Sequence, residues 1–130
     1  MDFIIGGADQ GKCKYVFEKY QICEKDVFYG DSSPYEALPE KMVIKDFHLL
    51  MRRFLEDGYS VEKILHTLEN AQHSVIITDE VGCGIVPVDP FERKYRETTG
   101  RICCVLAKRA KKVVRVMCGI PTVIKNEGEQ

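Results

Sequence analysis

Gly6-Gly7-Ala8-Asp9-Gln10-Gly11-Lys12-Cys13 lies between a short apolar run, Phe3-Ile4-Ile5, and a segment from Lys14 to Tyr20 that can form a helix. The octet meets the phosphate-loop pattern G-x-x-x-x-G-K-[ST] at Gly6, Gly11 and Lys12, with Cys13 where Ser or Thr should stand. Strand, glycine loop and helix in this order turn backbone N–H groups and a helix N-terminus toward a polyphosphate. The cofactor-binding residues expected from this stretch are therefore Gly6, Gly7, Ala8, Asp9, Gln10, Gly11, Lys12 and Cys13, with ATP or GTP as the ligand. Lys12 would reach the outer phosphates. The hydroxyl that is missing at position 13 normally ligates Mg²⁺, and a soft thiol is a poor substitute for a hard oxygen. The stretch thus argues for nucleotide binding and, at its last residue, against Mg²⁺ and catalysis.

The rest of the chain alternates strand-like and helix-like segments. Asp26 to Tyr29 reads as a short strand, Gly30 to Pro34 as a turn, and Tyr35 to Lys41 as a loop with a helical turn interrupted by Pro39. Met42 to Lys45 reads as a strand. A helix follows from Asp46 to about Asp57, with Phe47, Leu50, Met51, Phe54 and Leu55 on one face and Gly58 as its stop. Ser60 caps the next helix, whose apolar stripe is Val61, Ile64, Leu65 and Leu68. Ser74-Val75-Ile76-Ile77-Thr78 is continuous and β-branched, as a central parallel strand should be. Asp79 to Pro90 reads as a loop, and Phe91 to Lys112 as a helix with a break near Thr98-Thr99-Gly100. Val113 to Met117 is expected to be the last strand, closed by Gly119-Ile120-Pro121. This alternation predicts an α/β class with a mainly parallel sheet in a three-layer arrangement, helices on both faces. Ligands of such sheets sit at the carboxyl ends of the strands, where the loops at Gly6–Cys13, Asp46, 79–87 and 118–121 gather.

The 130 residues suffice for one domain, expected to span 1–130. With 45% hydrophobic and 30% charged residues the composition is that of an ordinary globular protein. A net charge of −1 gives no reason to expect a nucleic-acid partner or an anionic membrane surface. No apolar run reaches the length of a membrane span, and no export signal is evident, so a cytoplasmic protein is expected. The six cysteines form no C-x-x-C pair and are not spaced with His48, His66 or His73 as zinc ligands, so free thiols are expected.

The C-terminal half carries a resemblance. Ile77-Thr78-Asp79-Glu80-Val81-Gly82-Cys83-Gly84-Ile85-Val86-Pro87 resembles the N-E-V-G-x-G-I-V-P segment of the adenosylcobinamide kinase / adenosylcobinamide-phosphate guanylyltransferase family of cobalamin biosynthesis. Phe91 to Arg101 is similar to that family's R-x-[FY]-R-D-x-x-G-R, and Cys118-Gly119-Ile120-Pro121 with Lys125 to its closing A-G-I-P and Lys. Gly6 to Cys13 parallels G-G-A-R-S-G-K-S, and Val43-Ile44-Lys45-Asp46 stands where the family has V-L-V-D. The resemblance implies a RecA-like P-loop NTPase fold, kinase action on a corrinoid alcohol followed by GMP attachment, and a homo-oligomer, specifically a trimer. The departures are Cys13 for a hydroxyl residue, Asp79 for Asn, Glu97 for Asp, and Cys103-Cys104 for Asn-Gln. The stretch that carries the family's GMP-accepting histidine is shortened here to about residues 21–41 and contains no histidine. The guanylyltransferase route then has no covalent carrier.

Three readings follow: a kinase-like enzyme with guanylyltransferase activity lost, a catalytically degenerate paralogue serving as a nucleotide- or corrinoid-binding sensor or partner subunit, or a structural relic that binds nothing. In the first, Lys12 and Glu80 are the catalytic candidates, Glu80 positioning metal or water or accepting a proton from the substrate hydroxyl. Asp46 is the metal candidate, its alternative role being helix N-cap. Arg93, Arg96 and Arg101 are either phosphate contacts or a solvated helix face. The three histidines are expected at the surface or rim.

Overall fold

The computed structural model describes residues 1–71, 73–81 and 88–127. In chain order the elements are β1 Asp2–Gly6, α1 Lys12–Tyr20, β2 Val27–Tyr29, β3 Val43–Lys45, α2 Phe47–Glu56, α3 Val61–Glu69, β4 Val75–Asp79, α4 Pro90–Arg109, β5 Lys112–Met117 and β6 Ile120–Asn126. They form one six-stranded sheet of order β2-β3-β4-β1-β5-β6. The first five strands are parallel and β6 is antiparallel to β5. This is the α/β, three-layer P-loop NTPase arrangement.

The two faces of the sheet have separate cores. Successive strand residues point to opposite faces, so Phe3 and Ile76 pack on one side while Ile4, Val75 and Ile77 pack on the other. The first face is covered by α2, α3 and α4 through Phe47, Leu50, Met51, Phe54, Ile64, Ile102 and Leu106. The second face is covered by α1 through Val16, with Cys13, Phe17 and Tyr20 beside it. The continuous apolar run in β4 follows from this double burial: Val75, Ile76, Ile77 and Thr78 are all at most 1% exposed. Ser60 accepts the backbone N–H of Lys63, so the cap expected for α3 is present.

Two expectations are corrected. The helix expected from Phe91 to Lys112 with a break begins at Pro90 and runs unbroken to Arg109. Thr98 and Thr99 are buried against the core, and this tertiary contact overrides their weak helix propensity. Val113–Met117 is not the last strand either. Cys118 and Gly119 both have positive φ, 52° and 76°. That conformation makes a two-residue hairpin turn into β6. Pro121 does not prevent this, because β6 is an edge strand, where a missing N–H can face away from the sheet. The expected stretch Gly82 to Pro87, with Cys83, lies outside the described residues. Cys13, Cys23, Cys103, Cys104 and Cys118 are free thiols.

His73 precedes β4 with Nδ1 3.4 Å from the Lys41 carbonyl oxygen. Its Nε2 is buried and has no hydrogen-bond partner among the described residues. Burial pushes the imidazole below its ordinary 6.5, opposed by the Lys41 carbonyl. Above about 6.5 the ring is neutral in both the folded and the unfolded chain and contributes no pH dependence. Below that value the unfolded chain binds the extra proton, so stability is lost as pH falls toward the folded value. Urea midpoints are expected to decline from pH 6.5 downward, with a shallower decline in His73→Gln. Equal slopes would assign the acid sensitivity elsewhere.

Candidate phosphate-binding site

Five carboxyl ends of parallel strands lie along one edge of the sheet, and the glycine loop joins the end of β1 to α1. Gly11 is the turning point. Its φ of 91° lies in the left-handed region, and a Cβ there would sit 3.2 Å from Gly119 Cα. The hairpin turn is the other wall of this contact. Gly119 N–H donates to the Gln10 carbonyl oxygen at 2.8 Å, and Cys118 N–H donates to Gln10 Oε1 at 2.6 Å. The β5–β6 turn therefore braces the loop from outside, a role for residues 118 and 119 that the sequence placed nearby without specifying.

Lys12 is 6% exposed and points back under the loop. Its ammonium donates to the Gly7 carbonyl oxygen at 2.6 Å and pairs with Asp79 Oδ1 at 2.7 Å. Asp79 ends β4, immediately beside β1 in the sheet. Its second oxygen, Oδ2, lies 3.4 Å from His48 Nε2. The backbone N–H of Asp79 donates to His48 Nδ1 at 3.2 Å. Because Nδ1 accepts, the neutral ring carries its proton on Nε2, facing the carboxylate. Burial lowers the His48 pKa against the pull of Asp79 and Asp46, which keeps the ring neutral. Tyr95 donates to the His48 carbonyl oxygen at 2.8 Å, tying α4 to this corner.

Asp46 follows β3 with φ 55° and makes no side-chain cap bond to α2. The side-chain N-cap alternative is therefore not realised. A left-handed aspartate is uncommon outside turns and functional corners. Asp46, His48 and Asp79 bring one possible ligand atom each within 4.8 Å of one another. A cavity of about 480 Å³ opens over the loop, lined among others by Gly11, Lys12, Cys13, Lys45, Asp46 and Asp79. Burial pushes the Cys13 thiol up, opposed first by Lys45, so the group is a neutral thiol at neutral pH.

Of the residues singled out in the sequence, Ala8 to Cys13 and Asp46 line this one cavity. Gly6 and Gly7 lead into the loop, Gly7 through its bond to Lys12. Glu80 lines a neighbouring recess and pairs with Arg115 at 2.9 Å. Arg96 and Arg101 line a separate apolar groove between α3 and α4. His48, expected at the rim, is 12% exposed and packed into the site. The sequence signal was the Asp-x-His spacing directly after a strand, at the edge where loops converge. Asp79, rather than Glu80, is the carboxylate that meets Lys12. Among the described residues no helix is long and apolar enough to cross a membrane.

A family model described as cobinamide kinase / cobinamide phosphate guanyltransferase matches residues 40–124. The match includes Asp46, His48, Asp79 and Glu80 and begins after the glycine loop. Two curated relatives are the bifunctional adenosylcobalamin biosynthesis proteins CobU of Escherichia coli (strain K12) and Salmonella typhimurium (strain LT2). Each is 43% identical over 51 residues, a segment that is 39% of this chain and 28% of the relative.

Proposed function

This chain belongs to the cobinamide kinase / cobinamide phosphate guanyltransferase family, and from that premise we propose that it binds ATP or GTP at Gly6–Cys13 and transfers the terminal phosphoryl group to a corrinoid alcohol in cobalamin biosynthesis. The observation that carries this reading is the buried Lys12, held between Gly7 and Asp79 at the floor of a polar cavity. Loop N–H groups and the N-terminus of α1 would cradle the phosphates, and Lys12 would leave Asp79 to meet the outer ones. Mg²⁺ is tested by the donor set. Cys13 offers no hard oxygen, and His48 presents a protonated Nε2, but the carboxylates of Asp46 and Asp79 suit a hard ion. These two would hold a nucleotide-borne Mg²⁺, whose contribution is to neutralise phosphate charge. Glu80, paired with Arg115 in the neighbouring recess, would position the acceptor hydroxyl. Trimer formation and a cytoplasmic location remain part of the proposal.

The alternative reading is a degenerate paralogue that binds a nucleotide or corrinoid without turnover, as sensor or partner subunit. It is favoured by the neutral Cys13 thiol and by the absence of any histidine in residues 21–41. Incubation with cobinamide and γ-labelled ATP or GTP in Mg²⁺ separates the two. Label transferred to cobinamide above the Lys12→Ala control supports the kinase. Nucleotide binding without transfer supports the alternative.

A further inference from the structure

We infer that Asp79 makes the loop selective for metal-complexed over metal-free nucleotide, by acting as a counter-anion that holds Lys12 until a phosphate bringing its own cation displaces it. The inference rests on the nucleotide-binding reading above and adds to it the form in which the ligand must arrive.

The Lys12 charge is satisfied within the chain, by Asp79 Oδ1 at 2.7 Å and the Gly7 carbonyl at 2.6 Å. Asp79 is itself held in place. His48 faces its other oxygen at 3.4 Å and accepts its backbone N–H at 3.2 Å, and Tyr95 anchors the His48 backbone from α4. An incoming phosphate must therefore replace a carboxylate on Lys12 and then lie beside it. The cavity gives little net attraction to offset this. Lys12, Lys14 and Lys45 line it, and so do Asp9, Asp46 and Asp79. Three cationic side chains face three anionic ones, so the attraction for a bare polyphosphate is left to the loop N–H groups and the α1 N-terminus, against the Asp46 and Asp79 carboxylates in the same cavity. A divalent cation on the phosphates halves the ligand's charge and turns the local contact with the carboxylates from repulsion to attraction: Asp46 and Asp79 would face the cation, and Lys12 is released to the phosphate oxygens. Asp79 thus determines ligand form by repulsion of the wrong one as much as by attraction of the right one.

The test is calorimetric titration of the whole chain with ATP in Mg²⁺ and in EDTA, for wild type, Asp79→Asn and Asp79→Ser. Wild type is expected to bind in Mg²⁺ and far more weakly in EDTA. Both variants are expected to bind ATP in EDTA roughly tenfold or more tighter than wild type, from removal of one close like charge. The ratio of Mg²⁺ to EDTA affinity shrinks accordingly. Two substitutions of different shape, each checked by thermal melting, keep a folding defect in one from deciding the result. No gain in EDTA for either variant, with wild type binding in Mg²⁺, overturns the inference alone. Wild type binding ATP equally well in both buffers also overturns it. If wild type binds nucleotide under neither condition, the nucleotide reading falls and the inference with it.

Discussion

Replacing Lys12 by alanine is expected to abolish measurable phosphoryl transfer, a fall on the order of 10²–10³-fold or more, comparable to losing one preorganised charged donor at a transition state. Nucleotide affinity in Mg²⁺ should fall as well, by roughly 10- to 100-fold, from a charged hydrogen bond of about 1.5–3 kcal/mol. Stability should change much less. Asp79 is 25% exposed and regains water once Lys12 is gone, so no buried carboxylate is orphaned. Radiolabel transfer, calorimetry and thermal melts on one preparation check all three. A variant that keeps wild-type affinity would mean that the loop does not hold the phosphates through this residue. A variant that unfolds would mean that the Lys12–Asp79 pair staples the start of α1 to the end of β4, a structural role in place of a binding one.

The second large effect is expected at Gly30, far from the glycine loop in sequence but joined to the same site. Gly30 follows β2, and its N–H donates to the Lys45 carbonyl oxygen at 2.8 Å. A Cβ at this position would lie 2.7 Å from that oxygen and closer still to the Asp46 carbonyl oxygen. Both obstacles are backbone, which cannot swing aside as a side chain can. Gly30→Ala must therefore push β2 from β3 or shift the Asp46 corner. The expected cost is about 3 kcal/mol, at the upper end of overpacking, with a melting temperature lower by on the order of 10 °C. Because Asp46 sits at the displaced point, Mg²⁺-dependent nucleotide affinity should drop in the fraction that remains folded. A variant with unchanged melting and affinity would show that this edge of the sheet yields freely and does not position Asp46.

These two residues differ in how far the sequence exposes their roles. The place of Lys12 in the glycine loop is legible because its signal is local: the two glycines, the lysine, the preceding strand and the following helix are contiguous. Gly30 read only as part of a turn cluster, since the close approach that demands a glycine there comes from β3. The same contrast holds for the acidic residues. The position of Asp46 at the cavity is legible because it directly follows a strand. The convergence of Asp79 and His48 on Lys12 is not legible locally, since what joins them is the order β3-β4-β1, which places the end of β4 beside the glycine loop.

By itself the sequence determined the class of fold, most of the helices, the parallel strands and the glycine loop between β1 and α1. Each of these is encoded over a few consecutive residues, as periodicity, β-branching, a cap or a glycine pattern. Only the tertiary structure decided which strands are neighbours, that α4 continues through Thr98 and Thr99, that the chain turns at Cys118-Gly119 into a sixth, antiparallel strand, and that His48 and Asp79 converge on Lys12. Those outcomes depend on burying both faces of one sheet with few helices. That condition selects among many locally acceptable arrangements, and no short window of sequence contains it.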